Sequence, residues 1–166
     1  MPEGTQRYEL VEGALLVNPP PSAGHQGMSL RLAIALHTVA PPGVTVLEAV
    51  GVRLPGGTLL VPDVLVVSLP APEAERALVL DATQVSLVVE IVSPGSQTTD
   101  RLTKPALYAR AGVPLYWRVE PDEGPSVTVY QLDGHEYIQS AMARPGRLLA
   151  VTKPFPISLD PAALRP

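Results

Sequence analysis

Two stretches of the chain, Leu59–Val67 (LLVPDVLVV) and Leu87–Val92 (LVVEIV), are apolar at almost every position. A strand with apolar side chains on both faces must be covered on both faces. The chain is therefore constrained to a layered fold with a largely buried sheet. Each run carries a single carboxylate, Asp63 in the first and Glu90 in the second. An isolated buried carboxylate is very costly, so such a group must be paired, protonated or bound to metal. One alone is ordinarily a structural group satisfied by an arginine. Two on neighbouring strands of one sheet point to a shared site. Pro62 adds to this, because proline cannot donate into a ladder and marks an edge or a bulge that re-aims the next side chain.

The remaining elements are read around these strands. Tyr8 to Val17 forms a hairpin turning at Glu12-Gly13. Asn18 to Ser22 is a proline-rich break, and residues 24–39 follow as a helix with Met28, Leu32, Ile34, Ala35, Leu36 and Val39 at helical spacing. Pro41-Pro42-Gly43 stops it. Residues 44–54 alternate as one strand, with Val44, Val46, Val50, Val52 and Leu54 sharing a face with Glu48. Thr58 to Ser68 is a second strand, 69–84 a loop or irregular segment, and Val85 to Val92 a central third strand. Ser93-Pro94-Gly95-Ser96 breaks the chain before a helix from Thr98 or Thr99 to Ala111, ended by Gly112. Pro105 requires that helix to start near Lys104 or to kink there. Leu115 to Glu120 is a strand, and residues 127–140 form a hairpin around Asp133-Gly134. One more strand is expected after Arg147. The expectation is an α/β (α+β) fold of one domain over 1–166: a mixed sheet flanked by helices, with N-terminal and C-terminal hairpins.

Composition excludes several chemistries. The absence of cysteine removes disulfides, zinc–thiolate sites and cysteine nucleophiles. No apolar run reaches the ~18 residues of a membrane span, and Met1-Pro2-Glu3-Gly4 has no secretory pattern, so a cytoplasmic protein is expected. The net charge of −4 argues against a basic sheath for nucleic acid, but acidic metal sites also lower this count. Ten of the twelve basic residues are arginine, so Lys104, one of two lysines, stands out.

One Asp, one Glu, a nearby backbone carbonyl and waters suit a hard divalent cation, Mg²⁺ or Mn²⁺. Such an ion lowers the pKa of bound water and polarises a phosphoryl oxygen, and a neighbouring lysine supports the attack. Pro62-Asp63 followed by Glu90-Ile91-Val92 on a later strand resembles the PD-(D/E)XK nuclease signature. More closely, the chain resembles the Uma-two family of restriction-endonuclease-like proteins. The matching residues are Tyr8–Gly13, Pro20–His25, Pro62-Asp63, Glu90–Pro94, Asp100-Arg101 with Lys104, Tyr108 with Ala111–Val113, and Tyr116-Trp117. The resemblance implies a restriction-endonuclease-like core and metal-dependent cleavage of DNA. By position, it implies Asp63, Glu90 and the Ile91 carbonyl as metal ligands. The superfamily lysine would fall at Val92; in the Uma-two pattern it lies on the next helix, here at Lys104. His25 matches the family histidine, which implies contact with a phosphate or water; read from the residues alone it is equally an exposed or capping histidine at the helix start.

Other polar groups carry alternatives. Asp100 favours the helix N-terminus or fixes Lys104 four residues on. Glu48 pairs with an arginine or lines the site, and Glu12 belongs to the hairpin turn or reaches the metal. His37 and His135 read as exposed or structural, and Tyr116 and Trp117 as core or interface. A second functional reading is a non-catalytic partner-binding or regulatory module on the same fold. A third is a hydrolase of a small phosphate ester. For the DNA reading, a homodimer is expected, because two sites related by a two-fold axis cut two strands.

Overall fold

The computed structural model describes residues 6–69, 71–74, 76–95, 97–122 and 124–165. The sequence-based readings at residues 1–4 and at Ser96 lie outside these.

The N-terminal hairpin forms as expected. β1 (Arg7–Val11) pairs antiparallel with β2 (Ala14–Asn18). The turn between them places Glu12 at φ 47° and Gly13 at φ 87°. A two-residue turn with both φ positive matches the twist of the flanking strands. Ser22 then caps α1 (Ala23–Val39), its side chain accepting from the His25 N–H at 3.2 Å. Met28, Leu32, Ala33 and Leu36 of α1 are buried, whereas Ile34 and Val39 of the expected stripe are exposed.

The two long strands expected over 44–54 and 58–68 are each broken in two. The first becomes β3 (Thr45–Glu48) and β4 (Gly51–Leu54); the second becomes β5 (Thr58–Leu60) and β6 (Val64–Val67). Each pair of halves lies in two different sheets. The breaks have local causes: Ala49 has φ 54°, outside the strand region, and Pro62 cannot extend a ladder. The two breaks meet, because the Ala49 N–H donates to the Asp63 carbonyl at 3.2 Å. The segment expected as a loop holds a short helix α2 (Ala71–Ala74), β7 (Val79–Asp81) and a 3₁₀ turn, Ala82–Gln84.

The expected central strand is β8 (Val85–Ile91). It leads through a π-turn (Thr99–Thr103) into α3 (Lys104–Arg110), and then into the parallel β9 (Leu115–Glu120). The π-turn accommodates Pro105. The Lys104 N–H reaches back five residues to the Thr99 carbonyl, so the wider turn relieves the clash that a proline imposes on a regular α-helix. Ala111 caps α3 and Gly112, at φ 79°, turns the chain away. β10 (Ser126–Asp133) and β11 (Glu136–Ala143) form the second hairpin around Asp133-Gly134. Two short strands follow rather than one, β12 (Leu149–Val151) and β13 (Ile157–Leu159), paired with each other.

The main sheet has the order β11-β10-β9-β8-β6-β3, and the second sheet β2-β1-β5-β4-β7. One face of the main sheet packs on α1 and the C-terminal strands, through Leu32, Leu36, Leu87, Val89, Trp117 and Phe155. Its other face packs on α3 and the second sheet, through Val52, Leu60, Leu65, Val88, Tyr108 and Tyr116. Side-chain alternation along β8 therefore sends Leu87, Val89 and Ile91 to the first core, and Val88 to the second. Glu90 faces the same way as Val88, between the two sheets.

Candidate active site

Asp63 sits where the chain leaves the second sheet for the first. Val64 pairs with Val89, which sets Asp63 beside the Glu90–Ile91 end of β8. The Ile91 N–H donates to Asp63 Oδ2 at 2.7 Å. His25, in the first turn of α1, places Nε2 3.2 Å from the same Oδ2 and 3.1 Å from the Ile91 carbonyl oxygen. Arg7, at the start of β1, directs both terminal guanidinium nitrogens to Asp63 Oδ1, Nη1 at 2.8 Å. Burial raises the carboxyl pKa of Asp63. The His25 hydrogen bond and charge, the Arg7 charge and the Ile91 N–H outweigh this, and the net shift is downward. For His25, burial lowers the imidazole pKa, but the bond and charge of Asp63 and the Ile91 carbonyl raise it on balance.

Glu90 is the centre of a second cluster. Its Oε2 accepts from Lys104 Nζ at 3.0 Å and its Oε1 from the Tyr108 hydroxyl at 3.0 Å. Lys104 Nζ also lies 3.2 Å from Glu9 Oε1 and 3.3 Å from Asp100 Oδ1. Glu9 is only 1% exposed, and it accepts the Val61 N–H on Oε1 and the Asn18 side-chain amide on Oε2, both at 2.8 Å. The Asp100 carbonyl accepts the Tyr116 hydroxyl at 2.7 Å. Burial, together with the charges of Asp63, Asp100 and Glu9, drives the Glu90 carboxyl well above its ordinary value of 4.5 despite Lys104. The Lys104 ammonium moves upward from 10.5, because its surrounding carboxylates outweigh burial.

These groups line one cleft of about 240 Å³, walled by Pro19–Ser22 at the N-terminus of α1 and by Ser93–Gly95 after β8. Four carboxylates (Glu9, Asp63, Glu90 and Asp100) face two permanent cations, Arg7 and Lys104, with His25 as a third when protonated. Glu90 favours its protonated form, so the charges of the cleft are near balance without a bound ion, and its oxygen donors are hard. Among the described residues no group of three or more His, Asp or Glu is arranged to hold a metal ion by itself. A divalent cation here would rest on two carboxylates, a backbone carbonyl and waters. That donor set suits Mg²⁺ or Mn²⁺.

The sequence profile of the Uma2 family, described as "Putative restriction endonuclease", matches residues 1–164. The chain belongs to the Uma2 family. A solved structure of similar fold is "a putative nuclease belonging to DUF820" from Anabaena variabilis ATCC 29413. It is 20% identical, with a TM-score of 0.77, and the match covers 99% of this chain and 92% of that one. Among curated proteins there is no significant match. The restriction-endonuclease-like α/β fold expected from the sequence is thus found in this Uma2 chain.

The structure brings Asp63, Glu90, Ile91, Lys104 and His25 to one cleft, and Asp100 joins them by fixing Lys104. Glu48 does not line this cleft. It is exposed and accepts from the Ser29 hydroxyl at 2.8 Å. Glu12 stays in the hairpin turn, 3.6 Å from Arg110. His37 and His135 are exposed, and Tyr116 and Trp117 are fully buried. Three contributors were assigned no role from the sequence: Arg7, Glu9 and Tyr108. A signal for the first two exists. Along β1, exposed Tyr8 alternates with inward Arg7 and buried Glu9, an inversion of the usual apolar-in pattern.

Proposed function

We propose that this chain is a metal-dependent endonuclease that hydrolyses DNA phosphodiester bonds. The carrying observation is the convergence, in a Uma2 chain, of two buried carboxylates, a backbone carbonyl and a buried lysine on one cleft. In this reading Asp63, Glu90 and the Ile91 carbonyl hold Mg²⁺ or Mn²⁺. When bound there, such an ion would supply polarisation of a phosphoryl oxygen and a more acidic water. The chain's own groups prepare the rest. Lys104 supports the attacking water from the Glu90 side, by orienting Oε2 and keeping a positive charge beside it. Tyr108 fixes the other Glu90 oxygen. His25 holds Asp63 Oδ2 and the Ile91 oxygen around a single ring nitrogen, and would contact a phosphate or water when those two oxygens serve a cation. Hydrolysis forms one P–O bond from water and breaks another, adding H and OH across the phosphodiester.

Purified protein is expected to nick plasmid DNA with Mg²⁺ or Mn²⁺, and Asp63→Ala to lose at least about a hundredfold in rate. Full activity in that variant overturns the mechanism. A second reading, a non-catalytic partner-binding module, is favoured by one observation: each oxygen of Asp63 and Glu90 already has a protein donor. Calorimetry separates the two, since absence of Mn²⁺ binding at millimolar concentration supports the module. For two-strand cleavage, the working form we propose is a cytoplasmic homodimer joined through the β10–β11 hairpin. Ile138 and Met142 are exposed there on the outermost strand of the main sheet.

A further inference from the structure

We propose that Arg7 is the phosphate-binding residue of the cleft, the group that grips a non-bridging oxygen of the substrate. This rests on the phosphodiester reading above and assigns a role that reading leaves open.

The argument is a donor inventory. Three cations face the cleft: Lys104, His25 and Arg7. The Lys104 ammonium has three N–H groups, and three carboxylate oxygens stand at 3.0, 3.2 and 3.3 Å from it. It is 5% exposed. Only the Glu90 contact has hydrogen-bond geometry, but an incoming phosphate would have to compete with three buried carboxylates for this ammonium. His25 offers the cleft one ring nitrogen, Nε2, and that nitrogen lies between Asp63 Oδ2 and the Ile91 oxygen.

Arg7 differs. A guanidinium has five N–H donors in a planar fork. Arg7 spends two of them, one from each terminal nitrogen, on the same oxygen, Asp63 Oδ1. The usual fork instead spreads over two oxygens. Nε and one hydrogen on each terminal nitrogen have no acceptor among the described residues. The side chain is 20% exposed, against 6% for that of Lys104, so its free edge is open to the cleft. Asp63 also orients it, as a second partner orients a substrate-binding arginine. The surroundings agree with an anion at this point. The first turn of α1, capped by Ser22, carries no acidic side chain and lines the same cleft, so its free N–H end adds a positive field.

The test separates this proposal from the reading it rests on. Binding is measured by anisotropy with a short fluorescein-labelled DNA duplex, in Ca²⁺ and in EDTA, and cleavage with Mn²⁺ in parallel. The proteins are the wild type, Arg7→Gln and Arg7→Lys, with thermal melting and Mn²⁺ calorimetry on each. Arg7→Gln is expected to bind DNA at least about tenfold more weakly while still binding Mn²⁺. Arg7→Lys keeps a charge on Asp63 but lacks the fork, and is expected to fall between the two. Unchanged DNA affinity in both variants overturns the proposal, whatever the cleavage result. A weakening in Arg7→Gln fully restored in Arg7→Lys overturns the fork and leaves only charge. If Arg7→Gln does not fold, the Arg7→Lys comparison decides the fork alone: wild-type affinity overturns it, and weaker binding supports it. DNA binding that depends on Arg7 without cleavage by the wild type overturns the endonuclease reading and leaves the phosphate site standing. Absence of DNA binding by the wild type overturns both.

Discussion

Glu90 shows what a single buried side chain costs and what it provides. Its folded pKa lies well above the ordinary 4.5, first because it is buried and then because three other carboxylates are near. The fold therefore prefers its protonated form. As pH rises above the unfolded value the unfolded chain releases this proton first, so stability falls until the folded pKa is passed. His25 acts with the same sign: its raised pKa stabilises the fold below 6.5, and the gain is lost as pH rises through the folded value. Asp63 is opposite, since its lowered pKa gives stability above 3.8 that disappears as acid titrates the folded carboxylate. The metal-free protein should therefore lose stability as pH rises through a window that opens above the ordinary carboxylate value of 4.5, by at most about 1.4 kcal/mol per pH unit for each titrating proton. Urea titrations of wild type and Glu90→Gln across that window check this. The variant should show a flatter dependence, and an equally steep one excludes Glu90 as a source. The charges in this cluster were legible to different degrees. Asp63, Glu90 and Lys104 stand out because they are rare residue types in apolar surroundings. Glu9 and Arg7 did not, because their hairpin exposes Tyr8, Leu15 and Val17 and turns polar groups inward.

At the scale of elements, the informative difference is the division of two expected strands into four. Period-two alternation continues across Ala49, and an apolar run continues across Pro62, so the pattern alone reads each stretch as one strand. What ends them is a left-handed residue in one case and a missing N–H in the other, linked by the Ala49 N–H on the Asp63 carbonyl. The helical break was anticipated from Pro105, whereas the π-turn that accommodates it depends on hydrogen-bond spacing that composition does not encode. Ala49 gives a direct check. An L-residue at φ 54° carries a steric cost of about 1 kcal/mol that glycine avoids. Ala49→Gly is accordingly expected to raise stability by about 0.5 kcal/mol, after glycine's greater loss of backbone freedom is subtracted. A lower urea midpoint for the variant would refute the strain.

For the whole molecule, two apolar cores on opposite faces of the main sheet hold the cleft between sheets. The layered α/β architecture was legible from two doubly apolar strands, because such strands admit few other arrangements. The sheet order and the second, five-stranded sheet were not, since they depend on contacts between segments far apart in sequence. The outermost strand β11 bears on assembly. Light scattering is expected to give twice the 17.6 kDa protomer mass, and Ile138→Lys to return it to the monomer. A monomeric wild type refutes the proposed interface.

The sheet exchange between Ala49 and Asp63 has a consequence for when the chain can act. Its acidic and basic groups come from β1, the bend before β6, the end of β8, and the turn leading into α3. Glu9 is synthesised early and Lys104 only after nearly two thirds of the chain. No nascent fragment ending before Lys104 can assemble the cleft, and unfolding either sheet dismantles it. Whatever chemistry resides there is switched on by completion of the fold, so truncated or misfolded copies are silent.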